Sequence, residues 1–334
     1  MDQDVLKLFA LFFDSVPVSV QEIDTSRGDS DFRVTFIVQT RSGDKHVLKL
    51  ADNDFTFPEK IAVWQRTVDE YRSLGYYCPR IFRDMDGRFP VIDFRGHKCA
   101  VYAEEFVAFR PAEERSSENF GENTELYDSY KHDIWKMTAK IAAKYFDYTR
   151  YPSAYCLFDT FCPSDKTDEV LENALAWKEY ADTLPGAFHD QIERIWRLWT
   201  ENRTALEKVY GNLPASVFQA DLNPSNILLD ASGRFVGIYD FNLCGREVFL
   251  NYLMRENSGI SGICDALKTA SGYYQFSQTE KDTALMLFRC LKPLWFTRIE
   301  ELKDAKSDYD AIKASLDESE HELTDRIDFS SYMQ

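Results

Sequence analysis

Residues 217–242, VFQADLNPSNILLDASGRFVGIYDFN, interrupt a helix-rich stretch with short apolar runs separated by turn chemistry. The first run leads to Asp221. Pro224 then breaks the chain's path toward Asn226, residues 227–230 and 235–239 pattern as two strands about a Ser232-Gly233 turn, and the second strand delivers Asp240 at its end. Two carboxylates and an amide are thereby carried to loop ends around one place. These 26 residues are the most informative segment of the chain.

Upstream, residues 33–40 (RVTFIVQT) and 46–50 (HVLKL) are apolar, β-branched runs about Arg41-Ser42-Gly43-Asp44, which predicts a hairpin. Residues 54–74 change period: Ile61, Trp64, Val68 and Tyr71 share one helical face, Pro58 suits a first turn, and Gly75 closes the segment. Residues 90–94 and 99–106 predict two more strands about Gly96, and residues 6–13 an amphipathic first helix. Beyond Pro111 a polar run, AEERSSENFGENTE, reads as a solvated connector, and helical patterns follow at 127–148, 169–183, 189–210 and 280–299. The pattern predicts an α+β chain with a β-rich lobe over residues 1–106 and a large, mostly helical lobe over residues 107–334.

Charge and cysteines exclude several classes. With 39 Lys plus Arg against 56 Asp plus Glu, the net charge of −17 repels phosphate backbones and anionic lipid, so neither nucleic acid nor membrane is an expected partner, and cationic small molecules are favoured. No run approaches the roughly 20 apolar residues that cross a bilayer. The seven cysteines are odd in number and never spaced C-x-x-C, which points away from a zinc site or a disulfide framework and toward a reducing cytoplasm.

Asp221, Asn226 and Asp240 are hard oxygen groups with no His or Cys among them, a set suited to Mg²⁺, which takes few protein ligands and leaves positions for phosphate oxygens. The spacing D-x-x-x-x-N, followed fourteen residues later by D-F, resembles the catalytic pattern of the protein-kinase-like fold. With Pro inside the loop and no His-Arg-Asp triplet, it is similar to the aminoglycoside phosphotransferase and choline kinase branch, whose members read H-G-D-L-H-x-x-N and then I-D-W or I-D-F. Here the positions read Gln219-Ala220-Asp221-Leu222-Asn223-Pro224-Ser225-Asn226 and Tyr239-Asp240-Phe241.

The resemblance implies a two-lobed α+β fold, with a small antiparallel N-terminal lobe carrying one helix and a large helical C-terminal lobe. It implies an ATP- and Mg²⁺-dependent phosphotransferase that moves the γ-phosphate to the hydroxyl of a small molecule, an aminoglycoside, amino alcohol or sugar-like acceptor, by a monomer or homodimer. Asp221 would accept the hydroxyl proton, and Asn226 and Asp240 would hold the metal. Lys49 would contact the phosphates, with Gln65 on the following helix as its hydrogen-bonding partner. Gly28 and Ser30 would cradle phosphate in the turn at residues 24–31, DTSRGDSD, and the backbone of Glu104, Glu105, Phe106 and Val107 would serve as the adenine hinge.

Both family histidines are replaced, by Gln219 and Asn223, side chains that hydrogen-bond but do not titrate near neutrality. That leaves a catalytically degenerate nucleotide-binding or interaction module as the alternative. A protein kinase is disfavoured by the missing His-Arg-Asp and A-P-E segments. Asn242 and Glu247 are the nearest polar residues after Asp240 and read equally as substrate contacts or as helix caps; Cys244 reads as a buried filler, and the Trp196/Trp199 and Trp295/Phe296 pairs as core packing.

Overall fold

The computed structural model describes residues 2–28, 30–116, 120–306 and 308–334; Asp29 of the predicted phosphate loop and residues 117–119 of the connector lie outside them. The fold is α+β, protein-kinase-like and two-lobed. In the small lobe, β1 (Pro17–Asp24), β2 (Phe32–Thr40), β3 (Lys45–Asp52), β4 (Ile81–Phe82), β5 (Val91–Phe94) and β6 (His97–Glu105) form one antiparallel sheet in the order β1-β2-β3-β6-β4, with β5 also paired to β6.

Strand alternation decides what each face of this sheet carries. Val34, Phe36, Leu48, Leu50, Val101 and Ala103 point to one face, which α1 (Gln3–Phe12) covers with Val5, Leu8 and Phe9. Lys49 lies opposite Tyr102 in the β3–β6 register, so Lys49, Tyr102 and Glu104 share the other face, on the side of α2 (Pro58–Ser73). Two helices, not one, therefore flank the sheet. The apolar stripe of α2, from Ile61 to Tyr71, joins a core that runs on into the large lobe.

The large lobe comprises β7 (Arg110–Pro111), α3 (Thr124–Ala142), α4 (Glu169–Ala181), α5 (His189–Tyr210), β8 (Ala215–Phe218), β9 (Ile227–Leu229), β10 (Phe235–Ile238), β11 (Gly245–Val248), α6 (Phe249–Arg255), α7 (Gly259–Ser271), α8 (Gln278–Leu291), α9 (Phe296–Ala305) and α10 (Tyr309–Thr324). The helix expected over 127–148 stops at Ala142 because a distant side chain closes it: Ser216 Oγ donates to Ile141 O at 3.2 Å and accepts from Phe146 N at 3.1 Å. The pattern at 280–299 is two helices, not one. Pro293 lies in the break, where it has no N–H to give and its ring opposes the preceding turn.

One glycine joins the lobes. Tyr77 N donates to Val236 O at 2.9 Å and Ile238 N donates to Tyr77 O at 3.0 Å, so residue 77 pairs with β10 about Gly237. A Cβ at Gly237 would stand 1.8 Å from Tyr77 O, so no side chain fits there.

Candidate active site

Gln219 organises the centre. It is fully buried at the end of β8, and its side chain bonds on both ends. Nε2 donates to Asp221 O at 2.9 Å, Asp240 O at 3.0 Å and Tyr239 O at 3.2 Å, while Oε1 accepts from Asp221 N at 3.0 Å. Tyr252 OH in turn donates to Gln219 O at 2.6 Å, and Gln219 N donates to Tyr71 OH at 3.3 Å. One amide thus ties the loop of Asp221 to the end of β10, where Asp240 sits at φ +61°. A left-handed backbone is uncommon for a side-chain-bearing residue and costs on the order of 1 kcal/mol, so it persists only where neighbours fix it.

Asn223, at the second substituted histidine position, donates from Nδ2 to Asp221 Oδ1 and accepts at Oδ1 from Ser225 N at 3.0 Å. Asn226 donates from Nδ2 to Asp221 O at 2.9 Å, which leaves its amide oxygen as the side chain's acceptor. Burial raises the Asp221 carboxyl above its ordinary value and the Asp240 charge adds to the rise, against the lowering by Asn223 and Arg115. A carboxyl held up in this way is a better proton acceptor than an exposed Asp.

Lys49 Nζ lies 2.9 Å from Glu104 Oε2 and 3.6 Å from Asp240 Oδ1. Burial lowers the ammonium's pKa, but Glu104, Tyr102 and Asp240 more than offset it, so Lys49 titrates well above its usual range. Gln65 is not its partner. Gln65 Nε2 donates to Ile81 O at 2.9 Å and its Oε1 accepts from Arg83 Nε at 2.9 Å, which uses both ends of the amide on the β4 side of the sheet. The expected helix partner is thus replaced by a strand carboxylate that sequence reasoning assigned to the hinge backbone. The period of two along β6 was the available signal.

Lys49 and Asp240 line a cleft of about 380 Å³ together with Thr25, Ser26, Arg27 and Arg33. The part of the β1–β2 turn that walls the cleft is therefore its root. Ser26 Oγ accepts from Arg33 N at 2.9 Å, which fixes that root. Gly28 and Ser30 sit nearer the tip, where Arg27 N donates to Asp31 O at 2.9 Å, and neither lines the cleft. Nor do Glu105, Phe106 and Val107, at the end of β6 and beyond it. The Glu105 carboxylate is engaged by Arg80 N at 3.2 Å and by Arg72 at 3.5 Å, and Phe106 packs under Lys45 Nζ.

A second cavity, of about 650 Å³, opens against the Asp221 loop. Leu222 and Pro224 form part of its wall, with Tyr127, Glu256, Lys292 and Trp295. Trp295, expected as core packing, is therefore partly a cavity wall, and Phe296 is exposed. Burial pushes the Glu256 carboxyl up to about 7, with Asp221 adding to the rise, and pulls the Lys292 ammonium down to about 8.

The two polar residues after Asp240 separate. Asn242 lines the smaller cleft. Glu247 is buried, accepting from Tyr210 OH at 2.6 Å and Val248 N at 2.6 Å, a structural role at the start of α6. Cys244 is fully buried and, like the other six cysteines, unpaired.

The model of the phosphotransferase enzyme family matches residues 23–249, well over half of the chain. The chain belongs to that family. Two solved structures similar to this phosphotransferase are a microcompartment-associated aminopropanol kinase (14% identity, TM-score 0.54, covering 96% of this chain and 95% of that one) and an amicoumacin kinase in complex with AMP-PNP, Ca²⁺ and its ligand (16% identity, TM-score 0.51, covering 99% and 96%). At such identities the likeness establishes the fold. A comparison with curated protein sequences found no match. Family membership makes the chain a small-molecule kinase with an alcohol group as acceptor, and it implies ATP as the donor. No helix among the described residues is long and apolar enough to cross a membrane.

Proposed function

We propose that the chain transfers the γ-phosphate of ATP to a hydroxyl of an amine-bearing small molecule held in the 650 Å³ cavity, with Asp221 as the proton acceptor. The observation that carries this reading is the Asp221 loop: its next residues Leu222 and Pro224 wall the larger cavity, while Gln219 ties Asp221 to Asp240, which lines the smaller cleft. The Asp221 charge acts on Glu256 in the larger cavity and is acted on by Asp240, so a hydroxyl held in one cavity would meet a phosphate held in the other.

The donor set fits Mg²⁺. Among the described residues no group of three or more His, Cys, Asp or Glu forms a metal cluster, but the Asn226 amide oxygen and the half-open Asp240 carboxylate suit an ion that takes its other ligands from phosphates and water. When bound, Mg²⁺ would neutralise charge on the β- and γ-phosphates. Lys49 would hold the phosphates, and Thr25 and Ser26 would add hydroxyl donors. Residues 1–106 then carry the nucleotide, and residues 107–334 carry the acceptor, the base and the metal ligands.

Glu256 would take an ammonium of the acceptor close to its reacting hydroxyl, in keeping with the chain's net charge of −17. Gln219 and Asn223 keep the bonding that holds the loop, which supports transfer over a degenerate module. Seven unpaired thiols support a cytoplasmic location.

The test is ADP release on a panel of amino alcohols, aminated sugars and neutral polyols. A stimulating acceptor is expected, and Asp221→Asn should lower kcat by about 10²–10⁴-fold with the fold intact. Unchanged turnover in folded Asp221→Asn would overturn the reading.

A further inference from the structure

The polar connector after Pro111 reads from its composition as solvated surface, yet the structure brings one of its residues into the nucleotide cleft. Arg115 lines that cleft with Lys49, Asp240 and Asn242. The other basic residues of its lining, Arg27, Arg33 and Lys49, belong to the first sheet or its β1–β2 turn, whereas Arg115 enters from the large-lobe side.

Its approach is anchored. Arg110 and Pro111 pair with Leu229 and Leu228, Ala112 N donates to Ile227 O at 2.8 Å, and Glu113 N donates to Pro224 O at 3.2 Å. Ile227, Leu228 and Leu229 form β9 and Pro224 lies in the loop between Asp221 and β9, so Arg115 follows by two residues a segment bonded to the loop that carries the base and to the strand after it. The charge of Arg115 is felt on both sides of the reaction centre, at Asp221 and at Tyr239 beside Asp240. Arg33 is committed to Asp31 at 2.9 Å and Lys49 to Glu104 at 2.9 Å.

We propose that Arg115 is a further catalytic residue, a guanidinium supplied in cis that binds the transferring phosphoryl group between Asp221 and Asp240. The proposal rests on the phosphotransferase reading above. In the step, the acceptor oxygen forms a bond to the γ-phosphorus as the bond from that phosphorus to the β,γ-bridging oxygen breaks. The hydroxyl proton passes to Asp221, and the bond's electrons leave with ADP. Charge spreads over the three equatorial oxygens at that moment, and a planar, permanently charged fork meets two such oxygens at once. Lys49, a point charge held by Glu104, serves the phosphates that stay behind.

Arg115→Ala should lower kcat about 10²–10³-fold while the affinity for a non-hydrolysable ATP analogue changes less than about threefold, because the contact belongs to the transition state. Guanidinium ion at low millimolar concentration should restore part of the lost rate, and Arg115→Lys should restore less than guanidinium does. ADP with aluminium fluoride and magnesium should bind the wild type tightly and Arg115→Ala at least about tenfold more weakly. Arg115→Ala that keeps kcat within about threefold of wild type, or that loses only nucleotide affinity, overturns the proposal. Absence of any turnover in the wild type would instead overturn the phosphotransferase reading, so the two failures are distinguishable.

Discussion

Lys49 on β3 is ion-paired with Glu104 on β6, two positions along from Tyr102, its register partner. Both groups belong to one sheet, so the pair is set by strand register and needs no helix to swing into place. The lysine is therefore held in the cleft by the same antiparallel pairing that builds the lobe.

Glu104→Gln removes the charge that keeps Lys49 in position and leaves a buried ammonium with Asp240 as its remaining anion. We expect kcat/KM for ATP to fall about 10–100-fold, or about 1.4–2.7 kcal/mol. Gln65→Leu, which breaks only the bonds to Ile81 and Arg83, should leave kcat/KM within about threefold of wild type. Steady-state kinetics on the two variants checks both, and the reverse ranking would return the helix to the lysine.

Gln219→Leu keeps the volume and removes four hydrogen bonds at a buried position. The N–H of Asp221 and the carbonyls around it lose their partners, at about 1–3 kcal/mol for each group left unsatisfied. We expect a destabilisation of about 3 kcal/mol in urea unfolding, and a fall in kcat larger than the rise in KM, because Asp221 and Asp240 lose their common tether. A variant as stable and active as the wild type would show that the brace is dispensable.

Gly237→Ala should damage the junction of the lobes. The new methyl would stand 1.8 Å from Tyr77 O, so either β10 or residue 77 must give way. A loss of about 2–4 kcal/mol is expected, with faster amide exchange at Tyr77 and Ile238, whose N–H groups bridge the lobes. Wild-type exchange at those two amides would contradict the packing described.

Glu247 gives a pH signature. Burial pushes its carboxyl up to about 7 in the folded chain, above the ordinary 4.5. The native state then binds the proton more tightly than the unfolded state, so this contribution to stability is complete below pH ~4.5 and is lost as pH rises through ~7. Glu247→Gln should reduce the decline in Tm between pH 5 and pH 8, by up to about 3 kcal/mol of pH-dependent stability. Glu256, also pushed up to about 7, adds to the decline in the same direction and should remain in the variant. Calorimetry across that interval measures the difference; parallel curves for the two proteins would rule the assignment out.

The elements that follow from local chemistry match the folded chain closely. The β2–β3 hairpin, the helix after Pro58, the strands about Gly96 and the strand pair about Ser232-Gly233 all keep their places, because apolar period and turn residues are local properties. Elements whose stability is borrowed do not announce themselves. β1 is exposed along most of its length and buries little apolar surface of its own, so its strand character comes from pairing with β2. The end of α3 is closed by Ser216, a residue of another element.

For the site, sequence alone determined the spacing of Asp221, Asn226 and Asp240, since a short loop and a tight hairpin leave little freedom to separate them. Which groups stand opposite them is a matter of tertiary structure. The choice of Glu104 over Gln65, the wall formed by Trp295 and the entry of Arg115 each join segments far apart in the chain, and the same packing decides that Thr25 and Ser26, not Gly28 and Ser30 of the same turn, face Lys49 and Asp240. No local pattern encodes such contacts, because they are fixed by how buried faces meet, and a side chain's partner is known only when both faces have been placed.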